Sequence, residues 1–321
     1  MKRKTIGLAG KTLVMTLPAG WVGRCGIRKG DDLQVYETGK NLTVSPDSVD
    51  QSMEYSSDIS SLQKALPSYI RAVYQAGFDG VAITFRDLIQ LGRIEKILSR
   101  LCNGFEIMEE GHSRLVARSI SRNDAKNLSA VLRRLFLSVI LMAETGHGSG
   151  KEKTPLPRRV ASCYRRIARL ADHCRRILSR DHSLSAQSTI NLHAVVSCMD
   201  RVSLYYRRYF EGSSEQPEKL IKAYEASKKL LRSIYELFYK FEPVKCEEIR
   251  RLRMAISRYL TSPELTVSGA SIIAVLCIWS ISEELWYAFF SIVALHAISQ
   301  CYGEMPSILG SVEGGVTLAE K

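Results

Sequence analysis

The chain has no Cys-x-x-Cys pair and no tight grouping of cysteine with histidine; its eight cysteines are scattered at positions 25, 102, 163, 174, 198, 246, 277 and 301. Such spacing excludes the common zinc motifs and leaves the thiols as small apolar core groups in a reducing compartment. A Gly-x-x-x-x-Gly-Lys-Ser/Thr loop and a nucleophile motif are also missing. Nothing therefore sets up phosphoryl transfer or covalent attack, and the expectation is a protein that is not an enzyme and carries no cofactor. The glycine-rich stretch Gly146 to Gly150 follows a helical pattern rather than a strand, so it does not replace that loop.

Long apolar runs are scarce as well. The most apolar segment, Ala270 to Ala297, is broken by Glu283-Glu284 after a run from Gly269 to Ser282, shorter than the roughly 20 residues of a bilayer span. A buried bundle helix is expected there. The basic start, Met1-Lys2-Arg3-Lys4, is followed only by short apolar runs broken at Gly10-Lys11 and Pro18, which excludes an export segment in this reading and points to the cytoplasm.

Positive charge is plentiful. Forty-five Lys and Arg stand against 33 Asp and Glu, a net +12 over 321 residues. That balance favours polyanionic partners, either nucleic acid or an anionic membrane surface, and the length calls for two or three domains.

Within the first fifty residues, segments 3–8, 13–17, 33–38 and 42–45 alternate or are β-branched, and glycine-bearing turns separate them. They read as four strands, with a short helix starting at Pro18 and closing at Gly26, giving a ββαββ unit. So small a unit cannot bury a stable core alone, whereas exchanging hairpins between two chains roughly doubles the apolar surface covered. A dimer is thus expected as a folding requirement. The run Lys4-Thr5-Ile6-Gly7-Leu8-Ala9-Gly10-Lys11-Thr12-Leu13-Val14-Met15-Thr16-Leu17-Pro18-Ala19-Gly20-Trp21-Val22, followed by Gly26-Ile27-Arg28-Lys29-Gly30-Asp31-Asp32-Leu33-Gln34-Val35, resembles the SpoVT/AbrB swapped-hairpin family. The resemblance implies DNA binding through basic side chains of the first strands and loops, here Lys2, Arg3, Lys4, Lys11, Thr12 and Arg24, with Arg28 and Lys29 at the margin. Residues 1–50 carry eight Lys or Arg and five Asp or Glu, only +3 per protomer, so the grip on DNA would be modest and salt-dependent.

Ser45 to Ser61 is rich in Ser and Asp and reads as a linker. Beyond it, helices are expected at 123–144, 157–179, 186–210, 217–241, 246–260 and 268–298, with a few strands set off by Gly77, Gly80 and Gly111. Long helices with short links imply antiparallel bundles. The segment Tyr164-Arg165-Arg166-Ile167-Ala168-Arg169-Leu170-Ala171-Asp172-His173-Cys174 resembles the E-R-I-A-D-H helix motif of the PhoU phosphate-uptake regulators, whose archaeal members often carry an AbrB-type domain in front. In that family an acidic residue four positions before the aspartate completes a carboxylate pair for a metal; here the position is Ala168. Ser280 and Glu284 hold the corresponding spacing further on, and Asp200 stands alone in sequence. No metal site is expected, and Asp172 and His173 read as residues bonded to their neighbours.

One helix stands out by charge. Residues 151–180 hold ten Lys or Arg and two acids, and Arg158, Arg165, Arg169, Arg176 and Arg180 recur at spacings of seven, four, seven and four, along one helical face. Val160, Cys163, Ile167, Leu170, Cys174 and Ile177 line the opposite face. Arg158, Arg165, Arg169 and Arg176 are therefore candidates for binding DNA phosphates, an anionic membrane surface or an acidic partner protein, and a merely solvated face fits equally well.

The expected fold is an α+β multidomain chain. It begins with an AbrB-like swapped-hairpin β-barrel formed by a dimer (1–47) and a linker (48–61). A mainly α, PhoU-like region follows: a first part at 62–211 with an α/β insertion at 77–121, a second bundle at 212–303, and a tail at 304–321. The expected function is a homodimeric DNA-binding regulator whose helical region receives a signal or a partner. The alternative is an adaptor of a phosphate transporter at the membrane surface that does not touch DNA.

Overall fold

A computed structural model describes residues 2–8, 10–38, 41–46, 53–120, 127–145, 156–181, 183–212, 217–263, 265 and 269–302. The expected tail at 304–321, the Gly146 to Gly150 stretch and residues 48–52 of the expected linker lie outside these residues. The chain is α+β, with three small sheets and a larger helical region among the described residues.

The N-terminal unit contains β1 (Thr5–Leu8), β2 (Thr12–Met15), α1 (Ala19–Arg24), β3 (Leu33–Thr38) and β4 (Asn41–Pro46). The order ββαββ matches the sequence reading. Gly10 turns β1 into β2 at φ 94°, a conformation that side chains with a Cβ rarely adopt. Each hairpin is antiparallel, but the two are separate two-stranded sheets, and no closed barrel forms within one chain. Much of their apolar surface is uncovered among the described residues: Ile6 is 52% exposed, Leu13 70%, Val35 57% and Leu42 66%. Among the described residues up to Pro46, none is buried.

Next comes a sheet unit. β5 (Glu54–Asp58) runs parallel to β6 (Gly80–Thr84), and β8 (Arg114–Ser119) is antiparallel to both β6 and β7 (Phe105–Glu110), giving the order β5-β6-β8-β7. Helices α2 (Leu66–Gln75) and α3 (Leu88–Leu101) connect β5 to β6 and β6 to β7. Alternation decides which face they cover, since Val81 and Ile83 pair across with Ala117 and Leu115 and all four pack with Ile70, Tyr74, Ile94 and Leu98. The opposite face carries the ion pair Glu54 to Arg118 at 3.0 Å. Buried Gln90 ties the unit together: its amide donates to the carbonyls of Ile59 and Leu62 and accepts from Arg86 N–H.

This unit differs from the expected organisation in two respects. Residues 54–58 belong to a strand, not a linker, because an edge strand needs only one buried face and Tyr55 supplies it over polar neighbours. The strands at 77–121 are likewise not an insertion in a helical region, for β5 and α2 join them in one core that begins near Tyr55.

Among the described residues six further helices follow: α4 (Leu128–Thr145), α5 (Leu156–Arg180), α6 (Ala186–Glu211), α7 (Glu218–Tyr239), α8 (Pro243–Leu260) and α9 (Gly269–Tyr302). The α7 stripe of Leu220, Tyr224, Ser227, Leu231, Ile234 and Phe238 is buried, as its three- and four-residue spacing predicts. Where two bundles were expected, all six helices share one continuous core. Ser185 caps α6, its Oγ accepting the Ser188 N–H at 3.1 Å while donating to the Ser188 hydroxyl at 2.9 Å. Ser185→Ala is expected to cost about 1 kcal/mol, read as a lower urea midpoint at unchanged slope.

Helix α9 departs from the expected buried helix. Ala274, Cys277, Ile278, Ile281, Leu285, Ala288, Ile292 and Leu295 pack inward, while Ile272, Ile273, Leu276, Trp279, Tyr287 and Phe290 stay exposed. By length and composition alone, Ile272–Cys301 suffices to cross a membrane. The two acids in it are matched, Glu283 to Arg253 at 2.8 Å and Glu284 to Arg201 at 2.6 Å.

Candidate functional site

Helix α5 is the hinge of the site because it packs against the bundle on one side and against α2 and α3 on the other. Its C-terminal half is consequently enclosed. Arg176, expected on an exposed basic face, is fully buried: its guanidinium lies 5.1 Å from the Tyr74 ring centre and 4.9 Å from that of Phe105, and it donates to Tyr74 O at 3.2 Å. Helical spacing showed which residues share a face, but not that this face meets a second layer. Arg176 is therefore an internal strut and not an anion-binding residue. Arg180 is also engaged, with Gly77 O at 2.9 Å and with Asp79. Gly77 has φ 93°, and a Cβ there would approach Arg180 Cγ to 3.0 Å, so that turn admits only glycine comfortably.

One turn earlier lies an ionic unit that the sequence did not reveal. Asp172, fully buried, accepts from Arg71 Nε at 2.5 Å, Arg175 Nη1 at 3.0 Å and Gln75 Nε2 at 2.7 Å. Arg175 Nη2 reaches Asp200 Oδ2 on α6 at 2.9 Å, and Arg71 Nη2 approaches the same oxygen at 3.4 Å. Two carboxylates thus come together from neighbouring helices rather than from one helix face, with two guanidinium groups between them. Burial raises the Asp172 carboxyl above its ordinary value against the pull of Arg71 and Arg175. Neighbouring His173 Nδ1 lies 3.1 Å from Tyr74 Oη, a structural contact. Among the described residues, no group of three or more His, Cys, Asp or Glu is arranged to hold a metal. Burial also pushes the Cys102, Cys174 and Cys198 thiols up to about 12, far from a nucleophile's range.

Above this unit the walls part into a cleft of about 920 Å³. Pro67, Ser68 and Arg71 of α2 and Lys96, Ile97, Ser99, Arg100 and Leu101 of α3 form one wall; Ser162, Tyr164, Arg165, Arg166, Ala168 and Arg169 of α5 form the other. The lining contains six cations and no carboxylate. Two of the candidates, Arg165 and Arg169, are brought together here. Arg158 is exposed near the start of the helix and lies outside the lining. Sequence reasoning missed the α3 contribution, although Arg93, Lys96 and Arg100 recur three and four residues apart and could have been read as a second basic face.

The hairpin candidates Lys2, Arg3, Lys4, Lys11, Thr12 and Arg24 are all exposed. Lys2 to Lys4 do not cluster with Lys11 and Thr12 within one chain. Lys2 to Lys4 precede β1 at the open end of its hairpin, where Thr5 pairs with Met15, whereas Lys11 and Thr12 lie at the turn and Arg24 ends α1. The hairpin separates its two ends by about 13 Å.

No family model matches the chain, and no curated protein or solved structure shows significant similarity to it.

Proposed function

We propose that this chain is a homodimeric DNA-binding regulator, with strands β1 to β4 of two copies forming the DNA-binding body and the sheet unit with the helical bundle receiving a signal. The observation that carries this reading is the exposure of the hairpins' apolar side chains, none of which is buried among the described residues. Two-stranded hairpins are marginal alone in water, and these show Ile6, Leu8, Leu13, Met15, Val35 and Leu42 to solvent. A second copy of the same strands is the partner of matching shape and chemistry. Interleaving two copies also doubles the exposed cations, which one protomer spreads too thinly for a firm grip.

Retardation of duplex DNA by the full chain at two salt concentrations tests the proposal. Binding is expected at low salt and to weaken steeply as salt rises, and Lys11→Ala with Arg24→Ala should flatten the logarithmic salt dependence by about one unit for each phosphate no longer neutralised. A folded dimer that retards no DNA at low salt defeats it.

A second reading, an adaptor of a phosphate transporter at the membrane surface, draws support from the exposed apolar face of α9. Sedimentation with anionic vesicles without any DNA retardation would favour that reading.

A further inference from the structure

Among the described residues, the five outer cations of the cleft have no counter-charge of their own. Arg71, at the floor, belongs with Arg175, Asp172 and Asp200 to a unit of two positive and two negative groups. Lys96, Arg100, Arg165, Arg166 and Arg169 remain, and among the described residues none of them pairs with a carboxylate. Arg100 closes α3, where a cation suits the negative helix end. Arg165, Arg166 and Arg169 lie mid-helix in α5 and have no such explanation.

All five are exposed at the cleft, and like charges gathered around a concave surface raise the local concentration of anions. Four of the five are arginines, the side chain that grips phosphate through two parallel N–H bonds. Because the cations stand on facing walls, a compact anion can be met from both sides, whereas the phosphates of a duplex would reach only the rim. The volume of about 920 Å³ lies within the roughly 300–1,000 Å³ of small-molecule sites.

The number of charges selects among phosphates. A single phosphate group brings about two negative charges and would leave most of the cationic cluster uncompensated; two or three linked phosphates come close to balancing it. The lining also has an apolar strip, Pro67, Ile97 and Leu101, beside the hydroxyls of Ser68, Ser99, Ser162 and Tyr164. A bare polyphosphate would waste that strip, but a base and a sugar would use it.

We propose that the cleft between α3 and α5 binds a nucleotide carrying two or more phosphates, the arginines of α5 with Lys96 and Arg100 holding the phosphates and Pro67, Ile97 and Leu101 facing the nucleoside. This deepens the signal-receiving half of the proposed function by naming the signal's chemical class.

The test is calorimetric titration of the full-length protein with ATP, without divalent cations, beside parallel titrations with inorganic phosphate and adenosine. Saturable binding of ATP is expected, at least about tenfold tighter than phosphate, with none for adenosine. Arg165→Ala combined with Arg169→Ala should weaken ATP binding by about thirtyfold, while Arg158→Ala, outside the lining, leaves it unchanged. Circular dichroism confirms that each variant is folded. The proposal is overturned if folded wild-type protein does not bind ATP, if the double variant binds it as tightly, or if phosphate binds equally well. Such a failure with DNA retardation intact removes the cleft proposal alone, and loss of DNA retardation with ATP binding intact removes only the DNA-binding reading.

Discussion

Arg175→Met is expected to destabilise the folded chain by about 3–5 kcal/mol at neutral pH, the range for removing one partner from a buried ion pair. The methionine keeps most of the aliphatic volume, so packing contributes little of this. What remains is Asp172, fully buried, close to Asp200 and without one of the two guanidinium groups that bridge them. Only Arg71 and Gln75 would still satisfy it, and Arg71 is 32% exposed and less able to offset the desolvation. The pH dependence separates charge from packing. Burial already raises the Asp172 carboxyl above the ordinary 3.8 in the folded chain, and losing a cation raises it further. With the folded value above the unfolded one, the folded state binds the proton more tightly, so the charge penalty is fully present at high pH and disappears as pH falls through the folded value towards 3.8. Urea titrations of wild type and variant should therefore differ most near neutrality and converge on acidification. A difference constant over that window would assign the loss to packing. Adding Asp172→Asn to the variant should restore part of the stability, since it removes the stranded charge.

Local features were legible in the sequence and the docking of one layer on another was not. The hairpins, the six long helices and the α7 stripe follow from short-range spacing, because a strand or an amphipathic helix writes its period into consecutive residues. β5 escaped that reading. Its Glu, Ser and Asp residues have the composition of a linker, and only pairing with β6, more than twenty positions later, makes it a strand. Helical spacing put the arginines of α5 on one face, but the division of that face into an exposed half at Arg165 and Arg169 and a buried half at Arg176 depends on where α2 and Phe105 dock. For the same reason the search for two carboxylates on one helix missed the pair that formed between helices, Asp172 on α5 and Asp200 on α6. The cleft likewise draws one wall from a sheet unit that the sequence presented as an insertion.

The hairpins offer an unusually clean substitution experiment, for the side chains to be changed are already in water in the single chain. Val35 and Leu42 are 57% and 66% exposed and lie on the same face of the β3–β4 hairpin, where Val35 pairs with Val44 and Leu42 with Glu37. Glutamate at both positions costs an isolated protomer only the like-charge repulsion between position 42 and Glu37 across the hairpin, well under the cost to association, and the α4–α9 core, which contains neither residue, should keep its full helical signal. Association is where the cost falls. A symmetric dimer that buries these side chains loses four of them, at roughly 1.5–3 kcal/mol each, or about 6 kcal/mol or more in total. It must also place carboxylates where water is excluded. The dimer dissociation constant is therefore expected to rise by at least about ten-thousandfold. Sedimentation equilibrium should report a dimer for the wild type and a monomer for Val35→Glu/Leu42→Glu at micromolar concentration, with DNA retardation lost in parallel. If the variant sediments as the wild type does, or if the wild type is itself a monomer, strand exchange through the first 46 residues is wrong.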